Sequence, residues 1–261
     1  MSGKSSMILR KQMVEDRIST IAELLDIDKD KAFLRYVYAV LFSTRYDDEN
    51  IESDIVDGGD DKQFDIIRID EEPDQATIHL VQVKNSPKFS GTSVVRMRDG
   101  LDWVFKKPEA KYKSLPNTDL AVKIGEIRHL VGGHFGHHKL NVRVYYVAKG
   151  DTSRLSPDFR REVQETTEAY QGEFGSFAFA VWGINELIER EYEIEETARK
   201  ITADLPIKCD VNVRSVMEFQ ASDVRAAICS VQGNSLAKLV MEHPDAIFEE
   251  NVRTFLVARQ R

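Results

Sequence analysis

Cysteine is nearly absent. Only Cys209 and Cys229 occur in 261 residues, too few and too far apart for a four-ligand zinc site and no basis for a disulfide framework. Both read as core thiols. Also missing is any run of about 18 apolar residues, the length a helix needs to cross a bilayer. The opening MSGKSSMILRKQ lacks the apolar centre of a signal peptide, so the expected location is cytoplasmic, with no membrane partner. Nor is there an excess of positive charge: 36 Lys and Arg against 44 Asp and Glu leave a net −8. That balance excludes a domain that coats nucleic acid indiscriminately. No internal repeat or low-complexity segment is present.

What the chain does have is a 42 % apolar composition, enough for one substantial core and a smaller satellite domain. Its charge is also unevenly distributed. Residues 47–74 hold thirteen acids against two bases, a local balance of −11, and residues 84–113 hold eight bases against three acids, a local +5. A cation-binding acidic cluster beside a basic flank is what phosphodiester chemistry requires.

Apolar residues spaced three and four apart predict amphipathic helices over residues 7–26 and 30–44. The segments QFDIIRID and TIHLVQVK, separated by the turn-forming EEPDQ, predict a β-hairpin. Helices follow near 94–105 and 120–130, a strand at 140–148, a helix at 157–171, a strand at 176–182 and a helix beginning INELIEREY. Strands alternating with helices of this length define an α/β class: a mixed sheet flanked by helices. The rhythm changes near residues 205–210, with Pro206 as punctuation. A boundary is therefore expected there, giving a domain over 1–205 and a short α+β segment over 206–261.

The hairpin carries the chemistry. Gln82 and Lys84 lie two apart on one strand and face the same side, and antiparallel pairing brings Asp65 close to both. The Asp65 carboxylate, the Gln82 side-chain oxygen and the Val83 backbone carbonyl are hard oxygen donors suited to Mg2+ or Mn2+. Lys84 is a compact point cation that can orient a water nucleophile and stabilise charge growing on a phosphate.

Asp65 followed by Gln82-Val83-Lys84 resembles the PD-(D/E)xK nuclease motif in the variant where glutamine replaces the second acid, familiar from Mrr-like restriction endonucleases. The resemblance implies a restriction-endonuclease-like fold and metal-dependent hydrolysis of DNA, with a glutamate of the preceding helix, here Glu52, joining the site. The run GGDDKQFD resembles the family's glycine-rich approach to its first strand and brings Asp60 or Asp61 near the metal, ranked below Asp65. A second segment, VQGNSLAKLVMEHPDAIFEENVRTFLVARQR, resembles the opening of the AIPR (abortive infection phage resistance) domain. Family members continue well past such a segment. The resemblance therefore implies that this chain is an N-terminal part of a longer phage-defence protein.

Other candidates read more plainly. Asp57, Asp60 and Asp61 beside glycines suit turns and caps. His134, His137 and His138 in GGHFGHH suit a mobile loop near DNA better than zinc, since flanking glycines break the helix that the spacing would need. Lys88, Arg96, Arg98, Lys106 and Lys107 can contact phosphates, and Trp103 and Phe105 suit the core. DNA is the expected partner, although these residues do not distinguish it from RNA, and a homodimer is compatible. The alternative reading is a catalytically silent nuclease fold that binds nucleic acid or mediates self-association.

Overall fold

The computed structural model describes residues 2–132, 136–199, 217–221, 224–228 and 232–242. The chain divides into two compact units, Met1–Glu191 and Tyr192–Arg261. The change of rhythm expected near residues 205–210 lies outside the described residues, as do Cys209, Cys229, His134 and most of the segment that resembles the AIPR opening.

The first unit is α/β, as expected. Two helices, α1 (Ser2–Leu25) and α2 (Lys29–Phe42), precede a short α3 (Ile51–Asp54). The hairpin β1 (Ile66–Glu71) and β2 (Ala76–Lys84) follows, then α4 (Gly91–Phe105), α5 (Glu109–Tyr112) and α6 (Thr118–Leu130). Strand β3 (Leu140–Ala148), helix α7 (Pro157–Tyr170), strand β4 (Ser176–Trp182) and the first half of helix α8 (Ile184–Arg199), up to Glu191, complete it. In the second unit, β5 (Met217–Ala221) and β6 (Val224–Ile228) form an antiparallel pair, and α9 (Gly233–Glu242) follows.

Local chemistry explains the boundaries. Asp28 caps α2 by accepting the Lys31 amide at 2.8 Å, Asn117 caps α6 through the Leu120 amide at 2.9 Å, and Ser156 caps α7 with Pro157 at its first position. These are the oxygens and the ring that helix N-termini select. In the hairpin, Glu72 donates its amide to Gln75 across the Pro73 turn at 2.9 Å. Part of the expected GGHFGHH loop is instead helical: His137–Lys139 form a single 3-10 turn leading into β3.

The four strands run in the order β1-β2-β3-β4, antiparallel at the hairpin and parallel thereafter. Because strand residues alternate between faces, one sheet makes two cores. Ile67, Ile78, Leu80, Val142, Val144 and Tyr146 face α4, α6 and α7. Ile66, Val81 and Val147 face α1, α2 and Ile184 and Leu187 of α8. A fully buried Ile, Leu or Phe contributes about 1.5–3 kcal/mol relative to exposure, so both layers hold the sheet. The parallel strands end together, placing the β2–α4, β3–α7 and β4–α8 connections along one edge.

One contact fixes the approach to that edge. A Cβ added to Gly100 in the middle of α4 would lie 2.2 Å from the Lys62 carbonyl oxygen and 2.9 Å from Phe64 Cε2, so the loop before β1 rests on bare helix backbone. Gly100→Ala is expected to lower stability by about 1–3 kcal/mol through overpacking despite the better helix propensity of alanine. Urea denaturation of the variant checks this; unchanged stability would show that the loop does not need the contact.

Candidate metal centre

Asp65 lies one residue before β1 and is held on three sides. Its amide donates to the Val81 carbonyl at 2.8 Å, its carbonyl accepts the Val56 amide at 2.9 Å, and its carboxylate accepts the Val83 amide at 2.5 Å. The same carboxylate oxygen is met by Nε2 of Gln82. Asp65 is a bend at the head of the ladder that begins at Ile66 and Val81, and its side chain meets Gln82 and Val83 there. Gln82 and Lys84 share the sheet face that Leu80 presents to α4.

The loop between α3 and β1 adds two more acids. Carboxylate oxygens of Asp57, Asp61 and Asp65 lie within 4.8 Å of one another, a grouping able to hold a metal ion. Several contacts shape this loop. Asn117 donates to the Val56 carbonyl at 2.8 Å, Asp61 accepts the Gln63 amide at 2.7 Å, and Phe64 is fully buried beside Gly100. Lys62 pairs with Asp60 and lies 4.6 Å from the Trp103 ring of α4. Asp60, Lys62 and Gln63 adopt positive φ of 66°, 55° and 68°, a conformation that costs ordinary residues about 1 kcal/mol or more each.

The electrostatics suit a cation. Burial pushes the Asp65 carboxyl up to about 7, and the charges of Asp61 and Asp57 push the same way, against the Val83 amide and the Lys84 ammonium. Burial also raises Asp61, opposed by the Gln63 amide and by Lys84. Among the described residues, Oε1 of Gln82 is buried with no hydrogen-bond partner. Turning that amide over would set Oε1 against Asp65, and two oxygens approach so closely only with a proton or a cation between them. Val83 sends its amide toward Asp65, and a strand residue turns its carbonyl to the same side. Carboxylates, an amide oxygen and a peptide carbonyl are the oxygen donors that hard divalent cations take. Opposite ligands of Mg2+ stand roughly 4.2 Å apart and those of Ca2+ up to roughly 5 Å, so three carboxylates within 4.8 Å of one another are on the scale of a divalent cation's shell.

These acids and Lys84 line a cleft of about 400 Å³ together with Asp30, Phe33 and Leu34 of α2 and with Asn85 and Ser86. Asn85 donates to Asp30 at 2.5 Å.

Asp65, Gln82, Val83 and Lys84 are thus brought together. Glu52 stands apart: its side chain is 68 % exposed, pairs with Arg35 of α2 and does not line the cleft. Asp61 turns the chain, as its place after the glycines suggests, and Asp57 and Asp61 also join Asp65. Their four-residue spacing from Asp57 to Asp65 was the available signal. Asp60 is occupied with Lys62. His137 stacks on Phe174 at 5.9 Å, and among the described residues no histidine belongs to a metal-binding group. Of the basic candidates, Arg98 faces Glu162 and Glu165 at 3.8 and 3.6 Å, and Lys106 faces Asp102 and Glu173 at 3.4 and 3.3 Å. Lys107 lies 5.8 Å from the Trp103 ring, whereas Lys88 and Arg96 are exposed. Phe105 is buried, and Trp103 packs against the core while half-buried. No helix among the described residues is long and apolar enough to cross a membrane.

No protein-family model, curated protein or solved structure matches this chain.

Because the folded chain favours protonated Asp65, this group's contribution to stability is greatest below about pH 4 and is lost as pH rises toward 7. At about 1.4 kcal/mol per unit, the penalty is at most about 4 kcal/mol above pH 7. Asp65→Asn is therefore expected to melt higher than wild type at pH 8 in EDTA, with the gain vanishing near pH 4. Millimolar Mg2+ should raise the melting temperature of wild type but not of the variant. Equal melting curves at pH 8 would show that the buried carboxyl carries no such penalty.

Proposed function

We propose that this chain is a metal-dependent endonuclease that hydrolyses DNA phosphodiester bonds. The observation that carries the reading is the convergence of Asp57, Asp61 and Asp65 with Lys84 in one open cleft. The resemblance of Asp65 and Gln82-Val83-Lys84 to the glutamine variant of the PD-(D/E)xK motif supports it. The resemblance of residues 231–261 to the AIPR opening supports a role in anti-phage defence in the cytoplasm.

In this reading Asp57, Asp61 and Asp65 hold Mg2+ or Mn2+, with the Val83 carbonyl and, after its amide turns over, Gln82 as neutral ligands. The bound cation supplies Lewis acidity and lowers the pKa of a water. Asp65 must give up its proton for a cation to bind, so the site loads as pH rises through about 7. Lys84, on the same face two residues beyond Gln82, sets its ammonium beside the scissile phosphate and stabilises charge as the water oxygen bonds to phosphorus and the ester oxygen leaves. Glu52 has no ligand role here, because it is engaged with Arg35.

The alternative, a silent fold that binds nucleic acid, is favoured by one observation: the Asp65 oxygen is already occupied by the Gln82 and Val83 donors. One experiment separates the two. Plasmid and single-stranded DNA are incubated with Mg2+ or Mn2+ and wild type, Asp65→Ala, Asp61→Ala, Lys84→Ala or Glu52→Ala. Asp65→Ala is expected to abolish cleavage, and Lys84→Ala to slow it about 10² to 10³-fold. Asp61→Ala should raise the metal concentration required, and Glu52→Ala should stay within a few-fold of wild type. Undiminished cleavage by Lys84→Ala would sink the assignment, and a folded wild type that binds DNA without cutting it would establish the silent reading.

A rate limited by metal loading should also climb from pH 6 to 8 at low Mg2+ and flatten at saturating Mg2+. A pH profile identical at both concentrations would remove Asp65 ionisation from the loading step.

A further inference from the structure

A second cleft, of about 470 Å³, lies where β3 and β4 end, lined by Lys11 of α1, Lys88 and Phe89 of the β2–α4 loop, and Lys149, Asp151 and Arg154 after β3. Asp151 is the sole acid among its lining residues, and it already accepts from the Ser153 amide at 3.0 Å and faces Arg154 at 3.4 Å. Lys149 is half-buried and paired with Glu15. Lys11 and Lys88 are exposed, and no ion pair to either is found among the described residues. Two uncompensated cations thus stand together in a chain of net charge −8.

The position of this cleft gives the charge a purpose. Asn85 and Ser86 line the metal cleft, and the next three residues, Pro87, Lys88 and Phe89, line the basic one. The two clefts therefore share one loop as their rim. That loop lies against the end of β3: the Lys149 backbone amide donates to the Ser86 carbonyl at 2.9 Å, and a Cβ on Gly150 would stand 2.4 Å from Phe89 and 2.6 Å from the Pro87 carbonyl oxygen. Phe89 fixes an apolar wall beside the cations, packing on Tyr146 and Phe159 at 5.8 and 5.6 Å. Cations tracking a backbone beside an aromatic wall are the elements that hold single-stranded nucleic acid.

Resting on the nuclease reading above, we infer that the substrate is held as a single strand running from the metal cleft across the 85–89 loop into the basic cleft. Lys11 and Lys88 contact phosphates flanking the scissile one, and Phe89 lies against a sugar or base. Lys149, paired with Glu15, is not a substrate contact, and its backbone amide holds the loop.

The test is fluorescence anisotropy of a labelled single-stranded oligonucleotide with the full chain in EDTA, over a range of NaCl. Lys11→Gln/Lys88→Gln is compared with wild type and with Lys111→Gln/Lys139→Gln, which makes the same charge change outside the cleft. The cleft variant should bind about 10-fold or more weakly at low salt, with its log–log salt slope reduced by about 1.4 for two lost contacts to a single strand. The comparison variant should bind within a few-fold of wild type. Three results would overturn the proposal: no binding by wild type at low salt, wild-type affinity and slope in the cleft variant, or equal weakening in both variants. Because EDTA removes cleavage from the readout, failure of the nuclease reading looks different: binding that depends on Lys11 and Lys88 with no cutting in Mg2+ or Mn2+.

Discussion

A carboxylate withdrawn from water at the mouth of a β-hairpin sets the terms for the rest of this molecule. Asp65 meets β2 through its backbone amide, meets the incoming chain through its backbone carbonyl, and meets Val83 through its side chain. Sheet register, the path of the preceding loop and the polarity of the cleft all pass through this residue. Burial disfavours its charged form, so the arrangement is most stable with a proton or a cation present. A buried carboxyl that is disfavoured when charged and that lines a cleft is a candidate for chemistry as well as for structure.

Much of this was legible from alternation alone. Two residues apart on a β-strand means one face, which placed Gln82 with Lys84, and a four-residue turn of glutamate, proline, aspartate and glutamine fixed the pairing that brings Asp65 to Gln82. The alternation of strands and helices gave the α/β class in the same way. What could not be read was non-local. Asp57 and Asp61 reach Asp65 only because the loop between them follows left-handed backbone and docks on Gly100, a residue about forty positions later in the chain. Glu52 has the residue type and position that the motif asks for, yet Arg35 on α2 holds it elsewhere. Arg98 and Lys106 looked available for phosphate, but Glu162, Glu165 and Glu173 face them from α7 and the turn after it.

The same sorting explains how an acidic chain can offer a surface to an anion. Half of the eight cations in residues 84–113, namely Arg98, Lys106, Lys107 and Lys113, already face acids or aromatic rings. Lys88 stands on the loop whose preceding residues, Asn85 and Ser86, line the acidic cleft. Opposed charge on either side of one loop is a local property. The net charge of the chain does not report it.

The left-handed run at Asp60, Lys62 and Gln63 has an evolutionary corollary. Glycine usually weakens a loop by enlarging the freedom of the unfolded chain, but here it would relieve torsional cost, and β-branched side chains would add to it. The segment should therefore drift toward glycine and asparagine in related chains while shunning valine and isoleucine. Such a profile would mark the acidic loop of a distant relative even where the aspartates themselves had moved.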